Sequence, residues 1–233
     1  MPTVRGALAS VVIGLAAALV VVAVAILPFL APPWVGFEQG RAQATAWTGF
    51  TDEQLHAVTS SVLHDLVLGP PDFLAALPGQ TDPVLKPGER AHMRDVRGVF
   101  AGFYIVAIVG ALILAAAFLL ARGRPARARL WRRLARTGTV IAVVTVVGGG
   151  IGVLVFDQAF TLFHEIFFPG GNWQFDPRTD RLVQLFPDQF WSETTVAVGI
   201  TIIVLALGLR WLGGRRAGSL ERAGSSAVLA AAA

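Results

Sequence analysis

The feature that most constrains this chain is a set of four long apolar runs separated by charged segments. Three runs contain no charged residue, 6–37, 98–121 and 137–156, and the fourth is uncharged over 194–209. A bilayer core needs about 20 apolar residues per helix. The runs therefore predict four transmembrane helices, at about residues 7–30, 98–121, 138–156 and 191–212.

Composition supports an all-α integral membrane protein. Of 233 residues, 55% are hydrophobic and 15% are charged, and the mean hydropathy is +0.64, values that exclude a disordered chain and disfavour a water-soluble domain. The chain contains no Cys, which excludes disulfides, thiolate metal sites and Cys nucleophiles.

The distribution of arginine predicts the orientation in the membrane. Residues 122–137 contain seven Arg and no acid, and the segment from Arg210 onward has a net charge of +3, whereas residues 31–97 and 157–192 each have a net charge of −3. Because cytoplasmic loops collect Lys and Arg, both termini are expected in the cytoplasm. This topology accounts for the isoelectric point near 10.9 without a nucleic-acid partner.

These assignments divide the chain into one predicted transmembrane domain, residues 1–216, and a flexible cytoplasmic tail, residues 217–233. Within the domain, the inner loop is 122–137 and the two outer loops are 31–97 and 157–190.

The first outer loop contains a predicted amphipathic helix. Thr51 and Gln54 match a capping box, and apolar residues follow at helical spacing, namely Leu55, Val58, Val62, Leu63 and Leu66. This pattern predicts a helix that lies on the membrane.

In the second outer loop, the third helix is expected to continue beyond Asp157 through His164 and to stop at Pro169. Aromatic residues then alternate with carboxylates over 172–191. This pattern suits the binding of amphiphiles and equally suits an ordinary aromatic belt at the membrane interface.

Two of the four histidines stand out. His92 precedes the second apolar run and has Asp95 on the same helix face, and His164 follows the third run. His56 and His64 fit solvated positions on the amphipathic helix. The residues alone leave three interpretations for His92 and His164: acid–base catalysis, a metal or haem ligand pair, or a structural polar contact.

Several motifs together carry a resemblance to a known family. They are His92-Met93-Arg94-Asp95-Val96-Arg97, Phe163-His164, Trp173-Gln174-Phe175-Asp176-Pro177-Arg178-Thr179-Asp180 and Leu185-Phe186-Pro187. From the first helix to the fourth, the chain resembles the lipoprotein intramolecular transacylase family of bacterial membrane proteins. The resemblance implies an enzyme that moves the sn-2 acyl chain of a diacylglyceryl lipoprotein to the α-amino group of its N-terminal Cys.

The resemblance also implies a setting and a site. The enzyme is expected in the bacterial cytoplasmic membrane among membrane lipids, with an extracytoplasmic site and without a cofactor. His92 and His164 are the expected catalytic residues, one as base and the other as proton donor, with Asp95 orienting His92.

Other residues are expected to assist. The supporting residues are Arg97, Asn172, Asp176 and Asp180, of which Asn172 or Arg97 would stabilise the oxyanion. The lipid-binding residues are Trp173, Phe175, Phe186, Phe190 and Trp191. The alternatives are a metal- or haem-binding membrane protein that uses His92 and His164, and a non-catalytic membrane subunit. The oligomeric state stays open.

Overall fold

The computed structural model describes residues 4–232, and this part of the chain contains α-helices and no β-strand. One isolated antiparallel bridge pairs Ala76 with Pro83, and a 3₁₀ turn, Leu27–Leu30, follows the first helix. The helices are α1 Val4–Ile26, α2 Pro32–Arg41, α3 Ala44–Thr48, α4 Asp52–Val67, α5 Pro87–Leu120, α6 Gly123–Leu154, α7 Phe156–Phe167, α8 Arg181–Leu185 and α9 Asp188–Ala232.

Four helical segments in the described residues are long and apolar enough to cross a bilayer. They are Gly6–Leu30, Pro87–Leu120, Gly123–Leu154 and Asp188–Gly224. The predicted all-α membrane fold with four transmembrane helices is confirmed. The helices extend beyond the uncharged runs because their flanking segments are also rich in good helix formers such as Ala, Leu and Arg.

Two sequence-based expectations differ from the structure. The third spanning helix does not continue past Asp157, because α6 ends at Leu154 and α7 begins at Phe156 after a break at Val155. Four glycines at 148–150 and 152 weaken the helix just before this break. In addition, the segment predicted as a flexible tail continues α9 to Ala232, where its alanines favour a helix. Residue 233 lies outside the described residues.

The chain forms two compact units. The first unit comprises the described parts of Met1–Ala25, Phe103–Gly150 and Gly199–Ala233, and the second unit comprises Ile26–Gly102 and Ile151–Val198.

In the first unit, small residues allow helix backbones to approach closely. A Cβ atom added at Gly138 would lie 2.4 Å from the carbonyl oxygen of Ala206, and one added at Gly213 would lie 2.7 Å from that of Trp131. Such contacts are typical of helix packing in membranes.

The second unit has a core of large buried side chains. Its buried members include Val58 and Val62 of α4, Phe73, Leu85 and Leu185. The apolar face of α4, which was expected to face the membrane, packs in this core. The predicted capping box between Thr51 and Gln54 is present.

A buried polar network accompanies this core. The Gln39 amide donates to the Thr59 hydroxyl at 2.9 Å and to the Leu185 carbonyl at 2.9 Å. These bonds satisfy the buried amide and join α2, α4 and α8.

Candidate active site

The two histidines singled out in the sequence lie side by side in the second unit. His92 is in the second turn of α5, and His164 is near the end of α7. Their ring centroids are 6.0 Å apart and their planes differ by 26°. Two imidazoles at this distance can act on neighbouring atoms of one substrate.

The tautomer of His164 is fixed by its own helix. Nδ1 lies 2.8 Å from the carbonyl oxygen of Phe160, one turn earlier. A carbonyl only accepts, so Nδ1 carries the hydrogen and Nε2 of the neutral ring has a free lone pair. Burial lowers the pKa of His164, and the hydrogen bond to Phe160 opposes this shift without reversing it. His164 is therefore suited to accept a proton at Nε2 near neutral pH.

His92 is the more enclosed of the pair. Its residue surface is 5% exposed, and its Nδ1 has no hydrogen-bond partner among the described residues. The rings of Phe168 and Phe175 meet it edge-on, with centroid distances of 4.8 and 5.5 Å. The aromatic rings restrict water around this imidazole.

The five predicted lipid-binding residues have different positions. Trp173 packs on His164 with ring centroids 4.9 Å apart, and Phe175 contacts His92. Phe186 and Phe190 are buried in the core because α8 and the start of α9 direct them inward. Trp191 is exposed. Trp173 and Phe175 therefore line the histidine pair, whereas Phe186 and Phe190 pack within the core.

Asp95 and Asn172 form a polar pair near His92. The Asn172 amide donates to the Asp95 carboxylate at 2.6 Å. Asn172 therefore holds Asp95, the residue that was expected to orient His92. Asp95 and Asn172 line a cavity of about 490 Å³ together with Arg94, Gly98, Val99, Phe167, Phe168, Pro169 and Gly170.

Arg97, one of the expected supporting residues, contacts the end of α4. Its guanidinium donates to the backbone carbonyls of Asp65 and Gly69 at the end of α4. A cation that satisfies the last carbonyls of a helix stabilises that end. Arg97 therefore anchors the end of α4.

Asp176 and Asp180 shape the loop that carries Trp173 and Phe175. The Arg178 side chain lowers the pKa of Asp176 to about 2, and Lys86 lowers the pKa of Asp180 through a bond of 2.7 Å. Asp180 also accepts the backbone N–H of Asp176 at 2.8 Å. The contacts of the two carboxylates therefore fix the conformation of this loop.

Glu89 is a site residue that the sequence did not reveal. It is 1% exposed, and its carboxylate accepts the backbone N–H groups of Lys86 at 2.6 Å and Leu182 at 2.5 Å. It thus connects the start of α5, one turn before His92, to α8. The contact with Lys86 could have been predicted from the local sequence, because an acid at the third position of a helix commonly accepts the backbone N–H before the helix. The contact with Leu182 could not, because it spans 93 residues.

No group of three or more His, Asp and Glu side chains in the described part of the chain could hold a metal ion.

These features define an all-helical integral membrane protein with four spanning helices and an aromatic-lined histidine pair. A family model described as lipoprotein intramolecular transacylase Lit matches residues 9–191. The chain belongs to this family.

Solved structures show the same fold. A structure of the membrane-integral lipoprotein intramolecular transacylase Lit from Bacillus cereus matches with a TM-score of 0.72 and 17% identity, covering 94% of this chain and 97% of that one. A second structure, of a histidine-to-arginine variant of that protein, matches with a TM-score of 0.71 and 18% identity, covering 94% of this chain and 93% of that one.

An uncharacterised protein from Aquifex aeolicus (strain VF5) is 29% identical over 138 residues, covering 54% of this chain. The match spans 60% of that relative's length.

Proposed function

We propose that this protein moves the sn-2 acyl chain of a diacylglyceryl lipoprotein to the α-amino group of its N-terminal Cys, leaving a lyso-form lipoprotein. Membership of the transacylase family gives the reaction class. The observation that carries the proposal is the histidine pair, with ring centroids 6.0 Å apart and one imidazole in the tautomer of a general base.

His164 is the base. Its Nε2 lone pair takes a proton from the attacking amine as the nitrogen bonds to the ester carbonyl carbon. The hydrogen bond from Nδ1 to Phe160 holds the ring in the required orientation. The imidazolium that forms keeps this bond.

His92 is the proton donor. A buried N–H without a partner is rarer than an unpaired acceptor, so the unpartnered Nδ1 is the atom without hydrogen and Nε2 carries it. When the carbonyl carbon–oxygen bond to the glycerol breaks, Nε2–H protonates the leaving oxygen while the bare Nδ1 takes up the proton that His164 received from the amine. One proton thus leaves nitrogen and one reaches oxygen, and both rings end neutral.

Positioning supplies much of the rate. The donor ester and the acceptor amine belong to one molecule, and good intramolecular geometry contributes roughly 7–11 kcal/mol. Trp173 and Phe175 restrict the space around the imidazoles. They hold the reacting part of the lipid at the depth of the two rings.

We also propose that both termini face the bacterial cytoplasm and that the site faces the outer side. Because the chain has no Cys, single Cys residues report their side cleanly. Thr81→Cys and Gln174→Cys should react with an impermeant thiol reagent in intact cells, whereas Ala126→Cys should not. Outside labelling at Ala126 would reverse this orientation.

The reaction is tested with a synthetic diacylglyceryl lipopeptide that has a free α-amine. The purified protein should convert it to an isomer of unchanged mass whose fragments carry the acyl chain on nitrogen. His92→Ala and His164→Ala should each lower turnover roughly 100- to 10,000-fold. His56→Ala and His64→Ala are the matched controls and should keep turnover near that of the wild type.

Two results would favour other functions, and a third would change the mechanism. Release of free fatty acid without N-acylation would indicate a lipase-like hydrolase. Activity lost to a chelator and restored by Zn²⁺ would indicate a metal site. Full turnover by either key His→Ala variant would remove that histidine from the mechanism.

A further inference from the structure

The cavity beside the histidine pair is lined by both polar and apolar side chains. Arg94, Asp95 and Asn172 form the polar part of its lining, and Val99, Phe167 and Phe168 form the apolar part. Phe168 also packs on both imidazoles, with ring centroids 4.8 Å from His92 and 5.5 Å from His164. A molecule bound in the cavity would therefore lie next to the proposed acid–base pair.

Two charged side chains, Asp95 and Arg94, belong to this lining. Asp95 is exposed and is held by the Asn172 amide at 2.6 Å, and Arg94 is exposed as well. Among residues 6–224, whose side chains the structure describes, neither Asp95 nor Arg94 is part of an ion pair. A carboxylate fixed in place by a neutral amide is ready to bind a cation without a large ordering cost.

The surroundings favour a primary ammonium as that cation. An ammonium group presents three N–H donors to carboxylate oxygens, and the neighbouring apolar wall suits a lipid-linked molecule. Asp95 lies one helical turn after His92 and on the same face of α5. An amine nitrogen held there is close to the proposed site of proton transfer.

We infer that Asp95 binds the α-ammonium of the lipoprotein's N-terminal Cys, while Arg94 donates to the carbonyl oxygen of that residue. The inference rests on the proposed function, because only that reaction brings an α-amine to this site. Asp95 is then a substrate-binding residue that recognises the acceptor group as an ammonium. The ammonium releases one proton to solvent, and His164 takes the next proton as the neutral amine attacks the ester. The apolar wall contacts the lipid-bearing side chain of the same residue.

This role differs measurably from the orientation of His92. Loss of an ammonium contact raises KM and weakens binding of unreactive analogues that have a free amine. Loss of histidine orientation lowers kcat and leaves the binding of such analogues unchanged. Binding and turnover therefore separate the two roles.

The test uses a dialkylglyceryl lipopeptide, whose ether-linked chains cannot be transferred, in free-amine and N-acetylated forms. Calorimetric titration of the full-length protein in detergent should give a dissociation constant roughly 10-fold lower for the free amine, as expected for a charge-assisted hydrogen bond. Asp95→Asn should abolish this preference, and Asp95→Glu should keep part of it. Asp72→Asn, at an exposed acid elsewhere in the second unit, should keep all of it.

Equal binding of the two forms by the wild type would overturn the inference, as would an unchanged preference in Asp95→Asn. If Asp95→Asn does not fold, the wild-type preference and its reduction in Asp95→Glu decide the question. Competition by phosphatidylethanolamine as strong as by the free-amine lipopeptide would assign the site to a phospholipid headgroup and also overturn it. Failure to convert the ester lipopeptide would contradict the proposed function alone, because ether-analogue binding needs no turnover.

Discussion

The two units of this protein are stabilised by different means. In the first unit, glycines such as Gly138 bring helix backbones together, and large aliphatic side chains such as Leu112 remain 64% exposed. In the second unit, Leu, Val and Phe side chains are fully buried around polar groups that hydrogen-bond one another. Because lipid solvates apolar side chains, helices in a membrane associate through close packing rather than through hydrophobic burial. The second unit instead has the core of a water-soluble domain, and this core supports the histidine pair.

The largest stability effect is expected from emptying the core of the second unit. Leu185 is 0% exposed, so Leu185→Ala should cost about 3 kcal/mol through lost burial and a cavity. Leu112→Ala in the first unit is the matched control and should cost little, because Leu112 is 64% exposed. Hydrogen exchange of peptides from each unit measures the two effects. Similar costs for the two substitutions would contradict the distinction between the units.

The next effect concerns the buried carboxylate of the second unit. Glu89→Gln replaces one acceptor oxygen by an amide that cannot accept from a backbone N–H, so the expected cost is roughly 2 kcal/mol. Hydrogen exchange should rise around residues 86–92 and 181–185. Turnover should fall because the start of α5 carries His92.

Glu53→Gln is the control for this carboxylate, because Glu53 is exposed in the first turn of α4. Unchanged exchange at both segments in Glu89→Gln would show that Glu89 does not connect α5 to α8.

A comparable effect is expected from adding a single methyl group to the first unit. The Cβ of Gly138→Ala would lie 2.4 Å from the Ala206 carbonyl oxygen and 2.8 Å from the Arg210 backbone nitrogen. Neither backbone atom can move alone, so overpacking should destabilise this helix pair by about 2 kcal/mol. Gly148→Ala has open space at the new methyl and should instead stabilise α6 slightly. Thermal unfolding in detergent compares the variants, and equal shifts would refute close packing at Gly138.

The pH dependence of activity is expected to reflect the protonation of His164, in the second unit, and of the substrate amine. Burial lowers the pKa of His164 below the ordinary value of about 6.5, and only the neutral ring can act as base. The substrate α-amine protonates near pH 7.7–8.0. Because only the neutral amine attacks, the rate falls about tenfold for each pH unit below that range. The logarithm of kcat/KM should therefore fall with slope one below about pH 7.5 and with slope two once His164 also protonates below about 6.5.

His64→Ala should leave this pH profile unchanged, since His64, on α4, takes no part in the proposed proton transfer. A second break above pH 6.5 would contradict the buried position of the base, and a slope of one throughout would remove His164 from that role.

The sequence was informative where structure depends on neighbouring residues. Uncharged runs predicted the four spans, and the Thr51–Gln54 pattern predicted the start of α4, because both signals lie within one segment. The sequence was less informative about the long-range contacts of the second unit. The Gln39 contact with Leu185 spans 146 residues and the Glu89 contact with Leu182 spans 93. Neither partner is visible in a local pattern.

The smallest expected effect concerns the cap of α4. The Thr51 hydroxyl accepts the backbone N–H of Gln54 at 3.2 Å, and the Gln54 side chain accepts that of Thr51 at 3.0 Å. Thr51→Ala removes the first bond and should destabilise the second unit by about 1 kcal/mol. Thr51→Ser keeps the hydroxyl and should be nearly neutral. Hydrogen exchange should increase at the start of α4 and remain unchanged in the first unit, since spanning helices depend on their own backbone bonds in lipid. Equal exchange in Thr51→Ala and Thr51→Ser would show that core packing alone holds α4.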